Sequence, residues 1–215
     1  MSKPTIAAIV IGIDNWEKYT LPLIRSISLH EPDCLVTVID NASNEPYPYA
    51  PIVEGNQHYL LERTERLCYS AAINAGKELS NKADWYIVLS NDVLCTGPFA
   101  DMLAGYSDDT VVGPLLKQIH LERVGNVDYI EGWCVAASRR VWDTLGGWDE
   151  GMKISSYEDC DFSHRARKAG FWLEENPDLP FTHLDQRQRF TIVPNYWDSE
   201  NHNVRYFMQK HGVKG

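Results

Sequence analysis

Apolar runs and helically spaced apolar residues alternate along the start of the chain. Residues 6–13 (IAAIVIGI) and 35–39 (LVTVI) are short, continuous and rich in β-branched side chains, which is typical of strands buried on both faces. Between them, residues 19–29 carry Leu23 and Ile27 at helical spacing. A strand, a helix and a strand in this order predict a βαβ unit, and therefore a parallel sheet with a right-handed crossover.

The same kind of pattern extends over the rest of the chain, where the elements become shorter and more mixed. Further strands are predicted at residues 59–62, 85–89, 111–116, 129–137, 172–174 and 181–183. Further helices are predicted at residues 70–80, 99–106, 139–145, 158–169 and 203–210. The predicted fold class is α/β. A Rossmann-like, mostly parallel sheet flanked by helices covers residues 1–110, and a smaller mixed half of the same domain covers residues 111–215.

The composition narrows the classes of partner. The chain of 215 residues has a formal net charge of -10, and an acidic surface repels a phosphate backbone, so we expect no nucleic-acid partner. Its five cysteines are scattered without a CxxC pair, which argues against a zinc ribbon and indicates reduced thiols in a cytoplasmic protein. No apolar stretch approaches the ~20 residues of a membrane helix, so we expect no integral membrane segment and either a soluble partner or only peripheral contact with a membrane.

Polar residues follow three of the predicted strands, in the segments 12–15, 40–44 and 90–92. Ligands of open parallel sheets bind beyond the carboxyl ends of the strands, so these segments are the predicted binding edge. None of them contains the GxGxxG loop or the Walker lysine that holds phosphates in other nucleotide-binding proteins. A divalent metal held by a carboxylate is the natural substitute, because it neutralises a diphosphate directly.

Asp92 and His183 are the candidate metal ligands. Asp92 ends a buried strand, where an ionised carboxylate needs a partner, and histidine is a good companion to aspartate on manganese. Position alone leaves alternatives open for both residues, because Asp92 can cap the following turn and His183 can be structural. Asp40 has the same ambiguity, since Asp-Asn at a strand end is also a turn signal.

Three acids, Glu158, Asp159 and Asp161, open the predicted helix at residues 158–169. They can simply complement the helix dipole, or one of them can act as a general base at the helix N-terminus. Glu158 and Asp161 share one face of the helix while Asp159 points elsewhere. One acid can therefore brace the helix while another faces a substrate.

Seven segments, in a fixed order from about Ile6 to His183, resemble the family 2 glycosyltransferases with the GT-A fold, especially their rhamnosyltransferase-like branch. The segments are IAAIVIGIDN, VTVIDNAS, AAINAG, WYIVLSND, YIEGWCVAASRRVWDTLGGWDE, YEDCDFSHRARKAGF and PFTHL. The resemblance implies an inverting transfer of a sugar from a nucleoside-diphosphate sugar to a hydroxyl acceptor, with Mn²⁺ or Mg²⁺ as cofactor. It favours a UDP-sugar as donor, with GDP or dTDP as alternatives, and a glycan or a lipid-linked molecule as acceptor.

The resemblance also suggests roles for individual residues. It implies that Asp159 is the catalytic base with Glu158 beside it, and that the metal ligands are Asp92 and His183. The predicted donor-binding residues are Gly12, Asp40, Arg66, Asn74, Asn91 and Asp92, with Asp40 at the nucleobase. The predicted acceptor-binding residues are Trp133, Trp148 and Asp161, although both tryptophans can equally be core residues.

Two features depart from the family pattern. The metal motif reads SND at residues 90–92, so Asp92 is its only acid. Arg66 lies in a segment that differs from relatives, and it can meet a donor phosphate or pair with Glu62 or Glu65. The reduced motif keeps a non-catalytic nucleotide- or sugar-binding relative open as an alternative. A sugar nucleotidyltransferase is the other alternative, but such enzymes usually carry a basic, Gly-rich loop near the N-terminus.

Overall fold

The computed structural model describes residues 3–48, 58–80, 82–185 and 195–212. Its strands are β1 (Ile6–Gly12), β2 (Leu35–Asn41), β3 (His58–Arg63), β4 (Trp85–Ser90), β5 (Val93–Cys95), β6 (Thr110–Gly113), β7 (Leu116–Leu121), β8 (Gly125–Ile130), β9 (Cys134–Ser138), β10 (Trp172–Glu175) and β11 (Phe181–His183). Its helices are α1 (Leu21–His30), α2 (Tyr69–Leu79), α3 (Ala100–Ala104), α4 (Arg139–Leu145), α5 (Glu158–Lys168) and α6 (Tyr196–His211). A π-helical turn (Trp16–Thr20) leads directly into α1.

The central sheet, within the described part of the chain, contains seven strands in the order β10-β6-β9-β4-β1-β2-β3. β9 runs antiparallel to its neighbours β4 and β6, and the other pairs are parallel. The sheet is therefore mixed but mostly parallel, which confirms the predicted α/β fold class.

Helices cover both faces of this sheet because its strands are apolar on both sides. On one face, Leu23 and Ile27 of α1 and Leu103 of α3 pack against β1 residues such as Val10. On the other face, the apolar sides of α2, α4 and α5 pack against the alternate β1 residues, including Ile9. All seven residues of β1 are buried, so this strand forms the centre of the core.

The register of the parallel strands places the predicted binding edge. Gly12 at the end of β1 is paired with Asp40 of β2, and Ile11 is paired with Ser90 of β4. The segments 12–15, 40–44 and 90–92 therefore leave the sheet at the same level, as the sequence predicts.

Two predicted strands are each divided in the structure. Residues 111–116 fall into β6 and β7, and residues 129–137 fall into β8 and β9. β7 and β8 form an antiparallel hairpin that is separate from the central sheet, and a turn at residues 131–133 returns the chain to β9. The end of β6 packs closely against the end of β8, and Gly113 allows this contact because a Cβ there would lie 2.2 Å from Ile130 Cγ2. Such tertiary crowding leaves no signal in the local apolar pattern.

Other elements also differ from the prediction. β5 was not predicted; it pairs antiparallel with β11, and this small second sheet brings residue 183 beside residue 93. α3 is shorter than predicted, whereas α6 begins well before residue 203. None of the helices in the described ranges combines the length and apolar character of a membrane span. The five cysteines all lie in those ranges as free thiols, and four of them are buried.

Candidate active site

A cleft of about 330 Å³ lies at the carboxyl ends of β1 and β4. Its other walls are the β7–β8 hairpin, the turn at residues 131–133, the start of α5, the end of β11 and the start of α6. Eight of the predicted site residues line it: Gly12, Arg66, Asn91, Asp92, Trp133, Glu158, Asp159 and His183. The fold thus brings the candidate metal ligands and the candidate acids into one cleft.

The candidate metal ligands form a close pair. His183 Nε2 lies 3.3 Å from Asp92 Oδ2. The small second sheet sets this distance, because β11 pairs with β5 and the Leu184 amide donates to the Asp92 carbonyl at 2.8 Å. Asp92 is buried, and the imidazole of His183 stacks on the indole of Trp133 with 5.0 Å between ring centroids and 16° between planes.

This pair suits a divalent cation. A carboxylate and an imidazole are ligands that Mn²⁺ accepts, and two ligands at ~2.1 Å in octahedral geometry lie ~3 Å apart. Among the residues that the structure describes, no group of three or more His, Cys, Asp or Glu side chains is arranged to hold a metal.

The acid pair stands at the start of α5, opposite the turn at residues 131–133. The Gly132 amide donates to Asp159 Oδ2 at 2.9 Å, and the Cys160 amide donates to Asp159 Oδ1 at 2.8 Å. Gly132 also leaves space for this contact, because a Cβ there would lie 3.2 Å from both the Cβ and Oδ2 atoms of Asp159. Two amides thus fix the plane of the Asp159 carboxylate.

Burial changes the acidity of both carboxyl groups. Desolvation, with the neighbouring Asp159 charge, raises the pKa of Glu158 to about 8. Desolvation also raises the pKa of Asp159, against the two amide hydrogen bonds that lower it. Glu158 Oε1 accepts from the Ser155 hydroxyl at 3.4 Å, while Glu158 Oε2 is buried without a hydrogen-bond partner among the described residues. Of the two carboxyl groups, Glu158 is therefore the one that holds a proton near neutral pH.

Gly12 and Asp40 lie at the carboxyl ends of the neighbouring strands β1 and β2. A Cβ on Gly12 would lie 2.4 Å from the Tyr47 hydroxyl oxygen, so only glycine fits there. Asp40 is 1% exposed, and its carboxylate accepts from the Ser43 amide and hydroxyl and from the Tyr47 amide. Asp40 therefore builds the loop after β2 rather than lining the cleft, which is the turn role that the sequence left open.

Arg66 and Asn91 both line the cleft. Burial lowers the pKa of Arg66, and the nearby Asp14 carboxylate opposes that change. The Asn91 side-chain amide donates to Thr20 Oγ1 at 3.1 Å, which ties the segment at residues 90–92 to the helix after β1. A guanidinium lining a cleft is suited to an anionic group of a ligand.

Asn74 and Trp148 are placed away from the cleft, contrary to the prediction. The Asn74 amide group brackets the Trp148 backbone, accepting from its N–H and donating to its carbonyl, both at 2.9 Å. Trp148 is 2% exposed and stacks on Phe162 with 4.7 Å between centroids. Both residues therefore stabilise the packing of α2, α4 and α5, and the core alternative for Trp148 is the one that the structure shows.

Asp161 is also outside the cleft. It is fully buried, and its carboxylate contacts Arg165 of the same helix and Lys210 and His211 of α6 at 2.6–2.7 Å. Although desolvation opposes it, hydrogen bonds from these partners, with the charge of Arg165, hold the pKa of Asp161 well below its usual range. The predicted acceptor role is replaced by an anchor for α6, whose position the local sequence does not reveal.

Several residues of the cleft were not predicted. Glu131 lies on the turn beside Trp133 and accepts a hydrogen bond from its indole. Tyr69, whose hydroxyl is 3.5 Å from Ser90 Oγ and 3.4 Å from the Gly132 carbonyl, bridges the two halves of the cleft. Further tyrosines line the wall near the acids, at Tyr129, Tyr157 and Tyr196. In the sequence these tyrosines occupy the kind of position that core residues occupy, so no local signal marks them as cleft residues.

Solved structures with the same architecture are glycosyltransferases of the GT-A fold. The mannosyltransferase PcManGT from Pyrobaculum calidifontis, solved with GDP-Man and Mn²⁺, has a TM-score of 0.71 at 16% identity, covering 100% of this chain and 66% of its own. GalNAc-T7, solved with UDP, GalNAc and Mn²⁺, has a TM-score of 0.75 at 12% identity, covering 98% of this chain and 55% of its own. TarS from S. aureus, solved with UDP, has a TM-score of 0.65 at 12% identity, covering 98% and 67%.

At these identities the likeness shows the fold, which is GT-A. The chain spans about two thirds or less of the lengths of the first two structures. No protein-family model matches the chain, and no curated protein matches it. The family 2 assignment and its rhamnosyltransferase-like branch therefore stay predictions.

Proposed function

We propose that the chain is an inverting, metal-dependent glycosyltransferase that moves a sugar from a nucleoside-diphosphate sugar to a hydroxyl acceptor. The observation that carries this proposal is the joint position of two pairs, Asp92–His183 and Glu158–Asp159, in one cleft at the carboxyl ends of the strands. Solved GT-A structures that contain GDP-Man, UDP and Mn²⁺ support it.

Asp92 and His183 would hold Mn²⁺ or Mg²⁺, which supplies positive charge against a diphosphate leaving group. Arg66, which lines the same cleft, would add a second positive charge toward the diphosphate. Residues 1–110 would form the donor half and residues 111–215 the acceptor half. UDP is the first donor base to test, followed by GDP and dTDP.

Asp159 is the proposed general base. It would take the proton of the acceptor hydroxyl while that oxygen forms a bond to the anomeric carbon and the bond from this carbon to the diphosphate oxygen breaks. Attack from the opposite face inverts the anomeric configuration. The amides of Gly132 and Cys160 orient the carboxylate, and its raised pKa makes it a stronger base than an exposed aspartate.

Glu158 keeps its proton near neutral pH in this scheme. With a pKa of about 8, Glu158 is neutral and adds no negative charge beside Asp159, where the proton of the acceptor is received. The aromatic faces of Trp133 and Tyr157 line the same region and suit the C–H surface of a sugar acceptor.

The proposal is tested by release of sugar from UDP-, GDP- and dTDP-sugars, with Mn²⁺ and with a chelator. We expect turnover of one donor that requires the metal, and its loss by at least about 100-fold in His183→Ala and Asp92→Asn. Exposed residues give matched controls, His120→Ala and Asp33→Asn, which should retain full rate. Nucleotide binding without any turnover on any donor would instead identify a binding protein.

A further inference from the structure

The turn at residues 131–133 connects the two functional pairs. Gly132 donates to Asp159, as described above, and the flanking residues reach toward the metal pair. Glu131 Oε2 accepts from the Trp133 indole Nε1 at 2.9 Å, and Glu131 Oε1 lies 2.5 Å from Lys117 Nζ of β7. One carboxylate therefore holds both the indole and the hairpin.

Trp133 passes this restraint on to His183. The indole and imidazole planes are nearly parallel, 16° apart, with 5.0 Å between centroids. The imidazole in turn points Nε2 at Asp92 Oδ2, 3.3 Å away. Rotation of a histidine ring about its last torsion is broad and nearly two-fold, so the backbone alone does not fix the direction of Nε2. The stacked indole supplies that restraint.

We propose that Glu131 is a positioning residue for the metal-binding pair. Its hydrogen bond fixes the plane of Trp133, and the indole holds the His183 ring with Nε2 toward Asp92. The proposal rests on the proposed function, because it needs Asp92 and His183 to bind a metal. Lys117 neutralises the carboxylate and keeps it at the hairpin, so Glu131 stays within reach of the indole.

The first test uses the metal-free protein with isotopically labelled histidine. A stacked indole shifts the NMR signals of the His183 ring protons upfield, and loss of one set of signals in His183→Ala assigns them. Glu131→Ala should lose most of this shift, whereas Glu131→Gln should keep it because the amide oxygen still accepts the indole N–H. Glu122→Ala, a change at an exposed residue after β7, should leave the spectrum unchanged. An unchanged His183 signal in Glu131→Ala would overturn the proposal.

The second test is titration with Mn²⁺ alone, followed by the EPR signal of the free ion. We expect the Kd to rise about 10-fold in Glu131→Ala and to stay near the starting value in Glu131→Gln, as for outer-shell partners of metal ligands. His183→Ala is the reference. If His183→Ala weakens Mn²⁺ binding while Glu131→Ala does not, the positioning role of Glu131 is contradicted and the metal pair stands. If His183→Ala leaves the Kd unchanged, the metal pair of the proposed function is wrong and the Glu131 proposal fails with it.

Discussion

Burial and neighbouring amides give the two acids at the start of α5 different states. Asp159 accepts two backbone N–H groups, which stabilise its charged form, while Glu158 has one buried oxygen without a partner in the described structure. An ionised carboxylate in that position lacks compensation, so the proton of the pair is held on Glu158. The two adjacent residues therefore differ: hydrogen bonds stabilise the charged form of Asp159, and burial favours the protonated form of Glu158.

Asp159→Asn tests the assignment of the base. The variant should bind nucleotide as before, but kcat should fall by about 10²- to 10⁴-fold, the usual contribution of a general base. Nucleotide affinity by calorimetry and steady-state rates measure the two effects, with Asp33→Asn as the exposed control. A kcat within a few-fold of the starting protein would move the base to another residue.

Glu158→Gln tests the raised pKa through stability. The folded protein keeps the proton up to a pH of about 8, whereas an unfolded chain releases it near 4.5. The contribution of Glu158 to the free energy of unfolding is therefore fully present below pH 4.5 and is lost as the pH rises through about 8. Urea unfolding from pH 5 to 9 should show a steeper decline for the starting protein than for Glu158→Gln. Equal slopes would mean that Glu158 has an ordinary pKa.

At the scale of elements, α6 holds the loop that immediately precedes the two acids of α5. Asn203 is fully buried, and its Oδ1 accepts from the Lys153 amide at 2.8 Å. Its Nδ2 shares its two hydrogens among the carbonyls of residues 153, 155 and 156, at 2.8–3.1 Å. Ser156 and Tyr157 have left-handed φ values of 90° and 69°, which are unfavourable for residues with a side chain. The hydrogen bonds of Asn203 stabilise this conformation immediately before Glu158.

Asn203→Ala should therefore lower the free energy of unfolding by about 2–4 kcal/mol, because it leaves several buried backbone groups unsatisfied. The change also removes the restraint on the acid pair, so kcat should fall while nucleotide affinity is retained. Asn201→Ala, at an exposed position of the same helix, is the matched control and should change stability by less than about 0.5 kcal/mol. Denaturant unfolding would contradict the account if both variants were equally stable.

The length and type of most elements follow from the sequence, because continuous apolar runs and helical spacing reflect burial by the central sheet. The division of residues 129–137 into β8 and β9 does not, since it depends on Gly113 approaching Ile130 from a distant part of the chain. Asp161 is a similar case. Its partners Lys210 and His211 are 49 and 50 residues away, so the local pattern of three acids could not separate an anchor from a substrate ligand.

At the scale of the whole molecule, the parallel register converts three separate polar segments into one edge of the sheet. That step was predictable, because the carboxyl ends of parallel strands must lie together. The walls that the β7–β8 hairpin and α6 add to the cleft could not be predicted, because their residues carry no distinguishing local signal. The cleft therefore combines a predictable wall at the carboxyl ends of the strands with a second wall that only the folded structure reveals.

The central claim is that this cleft binds a nucleotide together with a metal ion. Its most direct test is thermal unfolding of the full chain with UDP, GDP, dTDP and CMP, each with and without Mn²⁺. A ligand that binds only the folded state stabilises it by mass action and therefore raises Tm. At a ligand concentration of 100 times the Kd, the free energy of unfolding increases by ~2.7 kcal/mol. The account predicts a rise with one nucleoside diphosphate that requires Mn²⁺ and is lost in His183→Ala. No rise with any nucleotide, with or without the metal, would contradict it.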